Sequence, residues 1–276
     1  PELRGVRALS VRLMTDEKLK ARWGREAVDP HEKSLPGLKA HFLVDHAPAK
    51  GRLLEIGCGE GKLLATLVKE RPRLELYGTD VQVPLATPHF QFKQCGNELP
   101  YGDGGFDAVV IFDVLEHVTN PEHMLDEARR VLKPGGSLIA FVPVEGEPLS
   151  FYTAFRALLG KDLYVETKEH VVSFRHRALL EAVQKRFDLH EVKYAYHLMG
   201  HLMDATFFAA GRLGRIRRFW WKENAFYNQQ KKSENAMSSV LNRAMKLGNL
   251  IAYWESTWLS NVRATSAGVL FEATRI

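Results

Sequence analysis

The chain predicts an α/β protein built on a Rossmann-like, doubly wound sheet of seven mostly parallel strands, with the last strand antiparallel. Strand-like and helix-like segments alternate from Arg52 to about Leu198, a pattern that places helices on both faces of a parallel sheet. The first strand runs into Gly57, Gly59 and Gly61, and a helix-like segment follows at once. At 276 residues, with 45% hydrophobic and 26% charged side chains, the chain can bury one full core.

The strands are predicted from short apolar runs that are bounded by turn residues. The seven predicted strands are Leu53–Ile56, Leu74–Gly78, His89–Gln94, Phe106–Phe112, Ser137–Pro143, Leu189–Tyr196 and Gly268–Thr274. The continuous apolar run from Phe106 to Phe112 is typical of a strand that is covered on both faces. About seventy residues without a strand separate the last two, and this gap indicates a large insertion before the final strand.

The helices follow from apolar spacing and from end signals. The predicted helices of the sheet region are Glu60–Arg71, Asn120–Leu132 and Ala178–Lys185. In the second, Asn120 is a suitable N-cap and Pro121 suits the first helical position. The first fifty residues look helical in two pieces, with breaks near residues 29–30 and 35–37. We therefore expect an N-terminal helical lead over 1–50, a core over 51–198 and 264–276, and a helical cap over 199–263.

The expected cap carries most of the positive charge. Residues 201–263 hold ten Lys or Arg against four acids, whereas the whole chain has a net charge of +5. A basic aromatic segment runs from Arg212 to Trp221 and suits an anionic acceptor or an anionic membrane surface. A second part has apolar residues at helical spacing, and core packing is the favoured interpretation of this stripe. The stripe comprises Val240, Ala244, Leu247, Ile251, Trp254 and Trp258.

The glycine-rich bend is the most informative local feature. Glycine accepts positive φ without steric cost, so the bend can be tight and a ligand can approach bare main chain. Glu55 ends an otherwise apolar strand; a buried acid requires a partner, and a cationic ligand group would serve. The spacing is one residue shorter than the dinucleotide pattern Gly-x-Gly-x-x-Gly. A tight turn without a ligand is the plain alternative.

Five motifs in this order resemble the class I S-adenosylmethionine-dependent methyltransferases, especially their quinone-biosynthesis-like branch. They are Leu-Glu-Ile-Gly-Cys-Gly-Glu-Gly (54–61), Tyr-Gly-Thr-Asp (77–80), Glu-Leu-Pro-Tyr-Gly-Asp-Gly-Gly-Phe-Asp-Ala-Val-Val (98–110), Asp-Val-Leu-Glu-His-Val (113–118) and Leu-Lys-Pro-Gly-Gly-Ser-Leu (132–138). The motifs cover about a third of the chain.

The resemblance implies S-adenosylmethionine as cofactor and assigns roles around it. The loop of Gly57, Cys58, Gly59 and Gly61 would hold the methionine part, with Glu55 near its amino end. Asp80, followed by Val81, would accept hydrogen bonds from the ribose hydroxyls. The family often has an acid after the third strand, whereas this chain has Cys95 near that place, which leaves the adenine to main chain at Gly96 and Asn97. Phe112 and Val114 would form an apolar floor.

A cluster of acids and histidines follows the fourth strand. Asp113, Glu116 and His117 would share one face if they were helical, and His170 lies close to where the family places acceptor-site residues. His117 or His170 is a candidate general base. Together the four side chains could hold Mg²⁺ or Mn²⁺ as a Lewis acid, as some relatives do, whereas in many metal-free relatives the Glu-His pair only supports the loop. His197 and His201 are interpreted as structural histidines, which are either buried with their hydrogen bonds satisfied or exposed to solvent.

The sequence thus predicts an enzyme that methylates a small-molecule or lipid-like acceptor, with oxygen favoured over nitrogen or carbon because of the acid–histidine cluster. A nicotinamide oxidoreductase and a non-catalytic partner protein are the rivals. The basic charge is too local to favour nucleic acid. Cys58 and Cys95 are the only cysteines and no apolar run reaches the length of a membrane span, so we expect a cytoplasmic location.

Overall fold

The computed structural model describes residues 27–84, 89–147, 170–203 and 236–276. All seven expected strands are present, some with shifted ends. They are β1 (Gly51–Ile56), β2 (Leu74–Asp80), β3 (Gln91–Gln94), β4 (Phe106–Phe112), β5 (Leu132–Pro143), β6 (Phe187–Ala195) and β7 (Gly268–Arg275). The expected N-terminal lead and the basic aromatic segment at 212–221 lie largely or wholly outside the described residues, so both stay predictions.

The strand order is β3-β2-β1-β4-β5-β7-β6. The pairs β1–β2, β2–β3, β1–β4 and β4–β5 are parallel, whereas β7 is antiparallel to both β5 and β6. The order reverses between β1 and β4, so the carboxyl ends of these two strands flank the crevice where open α/β sheets bind ligands. The predicted fold class is confirmed.

Five helices with assigned bounds accompany the sheet within the described ranges. They are α1 (Leu35–His46), α2 (Lys62–Glu70), α3 (Pro121–Val131), α4 (His176–Gln184) and α5 (Ala236–Trp258). The helix α3 begins as expected, because the Asn120 side chain accepts a hydrogen bond from the His123 N–H. Near residues 35–37 the chain starts a helix rather than breaking one: Ser34 caps α1 and Pro36 fits its first turn. A further helical stretch covers 198–203.

The β5 strand begins five residues earlier than expected. Leu132 pairs with Phe106 and Ser137 pairs with Ala108, so the residues between Leu132 and Ser137 form an irregular bulge. Gly135 within it has a φ of 73°, which glycine adopts without strain. The Pro-Gly-Gly turn is therefore kept, but as a bulge that leads α3 directly into the central sheet.

The core lies on both faces of β1, β4 and β5. On one face, side chains such as Leu54, Val109 and Leu138 pack with α3 and α4. On the other, Leu53 and Val110 pack with α1 and α2. Because the central strands are covered on both sides, they are held rigidly, and the loops at their carboxyl ends start from fixed positions.

The helix α5 packs with the opposite face to the one the apolar stripe predicts. Among its described side chains, Ala252 and Ser256 are buried, whereas Leu247 and Trp258 are exposed. For the stripe residues from Ala244 to Trp258, the interpretation as core is therefore wrong; the Val240 side chain lies outside the described residues. Among the described residues, no helix is long and apolar enough to cross a membrane.

Candidate active site

The loop after β1 has glycine at three positions where the backbone conformation disfavours any side chain. Gly57, Gly59 and Gly61 have φ values of 72°, 50° and 78°, in the left-handed region that favours glycine. A Cβ on Gly57 would lie 2.4 Å from Val114 Cγ2, and one on Gly61 would lie 2.3 Å from Phe90 Cε1. A Cβ on Gly59 would meet no atom within 4 Å. The outer two glycines are thus required by packing, and the middle one faces open space.

Hydrogen bonds fix this loop to the end of β2. The Gly57 and Cys58 N–H groups donate to the Thr79 carbonyl at 2.7 and 3.1 Å. Asp80 follows, and its Oδ2 accepts from the Gly59 N–H at 2.9 Å, while its Oδ1 accepts from the Gln82 N–H at 2.9 Å. Each carboxylate oxygen keeps acceptor capacity for a second donor. Asp80 is therefore positioned to bind a pair of hydroxyls beside the open space at Gly59.

Glu55 is buried at the end of β1 without full compensation. Its side chain is 5% exposed, and its Oε2 is a buried oxygen without a hydrogen-bond partner. Burial and the nearby Asp80 carboxylate raise the pKa of Glu55 well above its usual value, which the Leu64 N–H only partly offsets. A cationic group at this point would both pair the orphaned oxygen and reverse the pKa shift.

The turn after β3 lies beside Asp80. The Cys95 N–H donates to the Asp80 carbonyl at 3.0 Å, and Gly96 and Asn97 behind it are exposed. Val81, which the resemblance also places at the cofactor, is 56% exposed although it is apolar. These residues line the same edge of the sheet as the glycine loop, as expected for one elongated ligand.

The two thiols are not reactive groups. Burial raises the pKa of both Cys58 and Cys95, so neither is a thiolate near neutral pH. Phe112 is 6% exposed and its ring lies 6.4 Å from that of Phe141. It is a core side chain at the end of β4, and its role as a floor under the cofactor stays a prediction.

The segment after β4 is a turn and not the start of a helix. Asp113 has a φ of 55°, and its carboxylate binds Lys39 Nζ at 2.6 and 3.0 Å. That lysine, from α1, also lies 3.6 Å from the centre of the Phe141 ring. Asp113 is thus held by a cation, and the expectation that it joins Glu116 and the histidines in one ligand set is wrong.

Glu116, His117 and His170 do come together. Their possible ligand atoms all lie within 4.8 Å of one another. The rings of His117 and His170 meet edge to face, with centroids 4.8 Å apart. Glu116 is 1% exposed, and neither of its carboxylate oxygens has a hydrogen-bond partner. Burial, then the charge of Asp113, raises the pKa of Glu116 well above its usual value. This carboxylate is another buried acid that a cation would complete.

Glu145 is a site residue that the sequence reasoning missed. It follows β5, is 2% exposed, and its Oε2 lies 3.0 Å from His170 Nδ1. The main chain adds to the arrangement, because the Val171 and Val172 N–H groups donate to the Glu116 carbonyl and hold His170 beside it. The signal was present: an acid directly after an apolar strand is the same pattern that pointed to Glu55.

The histidines near the end of β6 are structural. His197 is fully buried, with Nδ1 2.9 Å from Thr265 Oγ1, and burial lowers its pKa. His201 is also buried. For His197 the interpretation as a core-satisfied side chain is confirmed.

A methyltransferase-domain family profile matches residues 31–190, more than half of the chain. The chain belongs to the class I S-adenosylmethionine-dependent methyltransferases. The fit of the cofactor to this chain is seen in three features described above: the orphaned oxygen of Glu55, the open space at Gly59 and the placement of Asp80.

Individual relatives match this chain over a limited part of their length. The demethylmenaquinone methyltransferase of Thermus thermophilus is 33% identical over 129 residues, 43% of this chain and 52% of that protein. A Mus musculus protein named "Probable tRNA methyltransferase 9B" is 33% identical over 122 residues, 41% of this chain and 26% of that protein. The chain spans about half or less of the length of these curated relatives.

A solved structure shows the same fold over nearly the whole chain. The crystal structure of the cyclase SpnF aligns with a TM-score of 0.56 at 16% identity, covering 98% of this chain and 94% of that chain. At this identity the likeness concerns the fold alone. Since that protein is described as a cyclase, the fold does not determine the reaction, and the reaction must be argued from the site.

Proposed function

We propose that the chain transfers a methyl group from S-adenosylmethionine to an oxygen atom of a small-molecule or lipid-like acceptor. The observation that carries the proposal is the pairing of two different sites at one edge of the sheet. Bare main chain with Glu55 and Asp80 lies after β1 and β2. The acid–histidine cluster of Glu116, His117, Glu145 and His170 lies after β4 and β5.

The first site suits the cofactor. Glu55 would pair with the amino group, Asp80 with the ribose hydroxyls, and Val81, Gly96 and Asn97 would border the adenine. When bound, S-adenosylmethionine supplies a methyl group that is already activated by a sulfonium. The chain therefore needs mainly to align the acceptor and exclude water. Nitrogen and carbon acceptors are alternatives; a neutral amine in particular needs no base, because its lone pair is already available.

The second site suits removal of a hydroxyl proton. Glu145 at Nδ1 favours the tautomer in which His170 Nε2 carries no proton and can accept one; this nitrogen lies 4.0 Å from Glu116 Oε1. His117 contacts the same ring and is the second candidate base. Deprotonation at this point raises the nucleophilicity of an acceptor hydroxyl, and this need for a base is the reason to favour oxygen.

The same cluster could instead bind a divalent cation. Glu116 and the two imidazoles offer one carboxylate and two nitrogen ligands. The carboxylate suits Mg²⁺ or Mn²⁺, whereas the two imidazoles favour a transition metal over Mg²⁺. Such a cation would lower the pKa of an acceptor hydroxyl. In that case His170 would be a ligand and not the base, so the two uses exclude each other for this residue.

The acceptor is testable with methyl-tritiated S-adenosylmethionine and a panel of hydroquinones, phospholipids, amines and tRNA. The proposal expects label in a hydroxyl-bearing acceptor and its loss in His170→Ala, with cofactor affinity unchanged. Label only in amines or tRNA would overturn it. A nicotinamide oxidoreductase would instead require binding of NAD, and a non-catalytic partner would bind the cofactor without labelling any acceptor.

Electron paramagnetic resonance of added Mn²⁺ tests whether the cluster binds a metal ion. Binding of one ion that is lost in Glu116→Ala, together with activity that is abolished by chelator and restored by Mn²⁺, would support the cation. Activity that is indifferent to chelation would leave His170 as the base.

Both cysteines lack a disulfide, and on that ground we place the reaction in a reducing compartment such as the cytoplasm.

A further inference from the structure

The helix α5 presents its large apolar side chains to solvent. Leu247, Ile251, Trp254 and Trp258 are spaced by four, three and four residues and therefore lie on one face. Their exposed fractions are 58%, 44%, 37% and 78%. Large apolar side chains on a contiguous exposed face mark a surface that binds something.

The opposite face of α5 explains this orientation. Ala252 and Ser256 are buried there, and the Ser256 hydroxyl accepts a hydrogen bond from the Tyr196 N–H at the end of β6, at 3.1 Å. A Cβ on Gly248 would lie 2.9 Å from Met203 Sδ. Small residues thus let the helix approach the end of β6 and Met203 closely. If the helix were rotated, larger side chains would take their place, and these would not fit the space.

The exposed face continues into a groove. A cavity of about 650 Å³ lies between α5 and the helical stretch 198–203, and among the described residues that line it only Glu255 is charged. Leu198 and Leu202 on its far wall are 56% and 51% exposed. We call the four α5 residues with Leu198 and Leu202 the apolar face.

Positive charges border the apolar face. Lys33 Nζ lies 5.0 Å from the centre of the Trp254 ring. Arg243, one turn before Leu247, and Lys246 are both exposed. The Glu255 carboxylate at the border is engaged by the Met199 N–H at 2.8 Å. The occupant of the face should therefore be apolar and negatively charged at its rim.

We propose that the apolar face docks on the surface of an anionic lipid bilayer. Tryptophan and leucine side chains would enter the region between headgroups and acyl chains, and the bordering cations would contact anionic headgroups. In a two-fold pairing both copies would present the same surface, so the positively charged border of one copy would meet the positively charged border of the other. The charge arrangement therefore favours a bilayer over self-association. The proposal does not depend on methyl transfer.

The test is co-sedimentation with phosphatidylcholine vesicles that contain or lack phosphatidylglycerol, together with tryptophan fluorescence. The wild type should bind only the anionic vesicles, with a blue-shifted emission, and salt should weaken binding. The double variant Leu247→Ser/Trp258→Ser should lose at least about 10-fold in affinity, since two large apolar side chains would no longer be buried in the bilayer. Arg243→Gln/Lys246→Gln should also bind less tightly.

Matched controls are available elsewhere on the surface. Ile276 is 67% exposed, and Ile276→Ser should bind vesicles as the wild type does. Arg177, with a side chain that is 84% exposed, serves as the charge control through Arg177→Gln. Failure of the wild type to bind anionic vesicles would overturn the proposal, as would equal losses in the controls. Sedimentation equilibrium showing a dimer that Leu247→Ser/Trp258→Ser dissociates, without vesicle binding, would assign the face to a second copy instead.

Discussion

Two regions of the protein each lack a partner, but of opposite chemistry. One is the ligand edge of the sheet, where the loop after β1 and Asp80 form the proposed cofactor edge and Glu116 lies nearby; the other is the apolar face of α5. At the edge of the sheet, Glu55 and Glu116 are buried acids, and Glu55 Oε2 and both carboxylate oxygens of Glu116 have no hydrogen-bond partner. On α5, Leu247 and Trp258 are apolar groups left in water. Burying an unpaired acid and exposing a large apolar side chain both carry a free-energy cost. Each region is therefore best explained by a ligand: a small cationic one at the edge and an extended apolar one on the helix.

The two regions also differ in how they are built. The cofactor edge is made of short, contiguous segments at the ends of central strands, where main-chain hydrogen bonds fix each residue. The apolar face is made of side chains on a helix whose position depends on contacts with β6 and α1. Substitutions at the edge should therefore affect ligand binding and stability together, whereas substitutions on the apolar face should separate them.

The largest effect is expected for Asp80→Ala. Loss of two charge-assisted hydrogen bonds to the ribose should weaken S-adenosylmethionine binding by about 100-fold, or about 3 kcal/mol. Isothermal titration calorimetry measures this change, with Asp103→Ala as the control because Asp103 is a largely exposed acid outside the site. Unchanged affinity in Asp80→Ala would remove Asp80 from the ribose site.

Two glycines of one loop should behave differently. Gly61→Ala combines positive φ with a clash against the Phe90 ring and should reduce the free energy of unfolding by about 2–3 kcal/mol. Gly59→Ala has only the backbone strain and should cost about 1–2 kcal/mol, yet it should weaken cofactor binding because its Cβ enters the open space. Urea denaturation and calorimetry test the pair. Equal stability losses would show that Phe90 moves aside.

Glu55→Gln should weaken cofactor binding but increase the free energy of unfolding at neutral pH. The pKa of Glu55 is raised in the folded protein, so the folded state holds a proton that the unfolded chain releases as pH rises above the ordinary carboxyl pKa. The free energy of unfolding of the wild type therefore falls through that range, and this loss is absent in the variant. At neutral pH the variant should be more stable by on the order of 1 kcal/mol, while binding the cofactor more weakly.

This pH dependence is measurable by urea denaturation from acidic to neutral pH. The two proteins should have similar stability in acid and diverge as pH rises. A wild type that gains stability relative to Glu55→Gln over that range would mean that Glu55 already has an internal cationic partner, and the argument for a cationic ligand at this carboxylate would fail.

The smallest stability effect is expected on the apolar face. Leu247→Ser should change the free energy of unfolding by no more than about 0.5 kcal/mol. Ala252→Leu, on the opposite face of the same helix, should cost about 1–3 kcal/mol because no space exists for the larger side chain. Thermal melts compare the two. A large loss in Leu247→Ser would show that the face is part of the core.

The local structure of the proposed cofactor edge was predictable because its information is local. The strand and bend of residues 53–61 and the position of Asp80 at the end of β2 each follow from neighbouring residues. The fold class followed from the alternation of elements together with the family resemblance, whereas the cofactor contacts of these residues stay predictions. Glu145 carried the same signal as Glu55 and was overlooked because it lies outside the motifs that drew attention.

The errors concern contacts between distant residues. Asp113 binds Lys39, seventy-four positions earlier in the chain, and no local pattern could predict that this cation would take it from the histidine cluster. For α5, the spacing of Leu247, Ile251, Trp254 and Trp258 predicts that one face is apolar, but not which face meets the sheet. Close approach favoured the small side chains Ala252 and Ser256, and local periodicity does not contain that preference.

The central claim is that the loop after β1 and the acid after β2 form a site for S-adenosylmethionine. Equilibrium dialysis of the wild type against methyl-tritiated S-adenosylmethionine, with unlabelled S-adenosylhomocysteine as competitor, tests it most directly. We predict one bound molecule per chain, displaced by S-adenosylhomocysteine and not by NAD. No retained label, or label that NAD displaces equally well, would contradict the account.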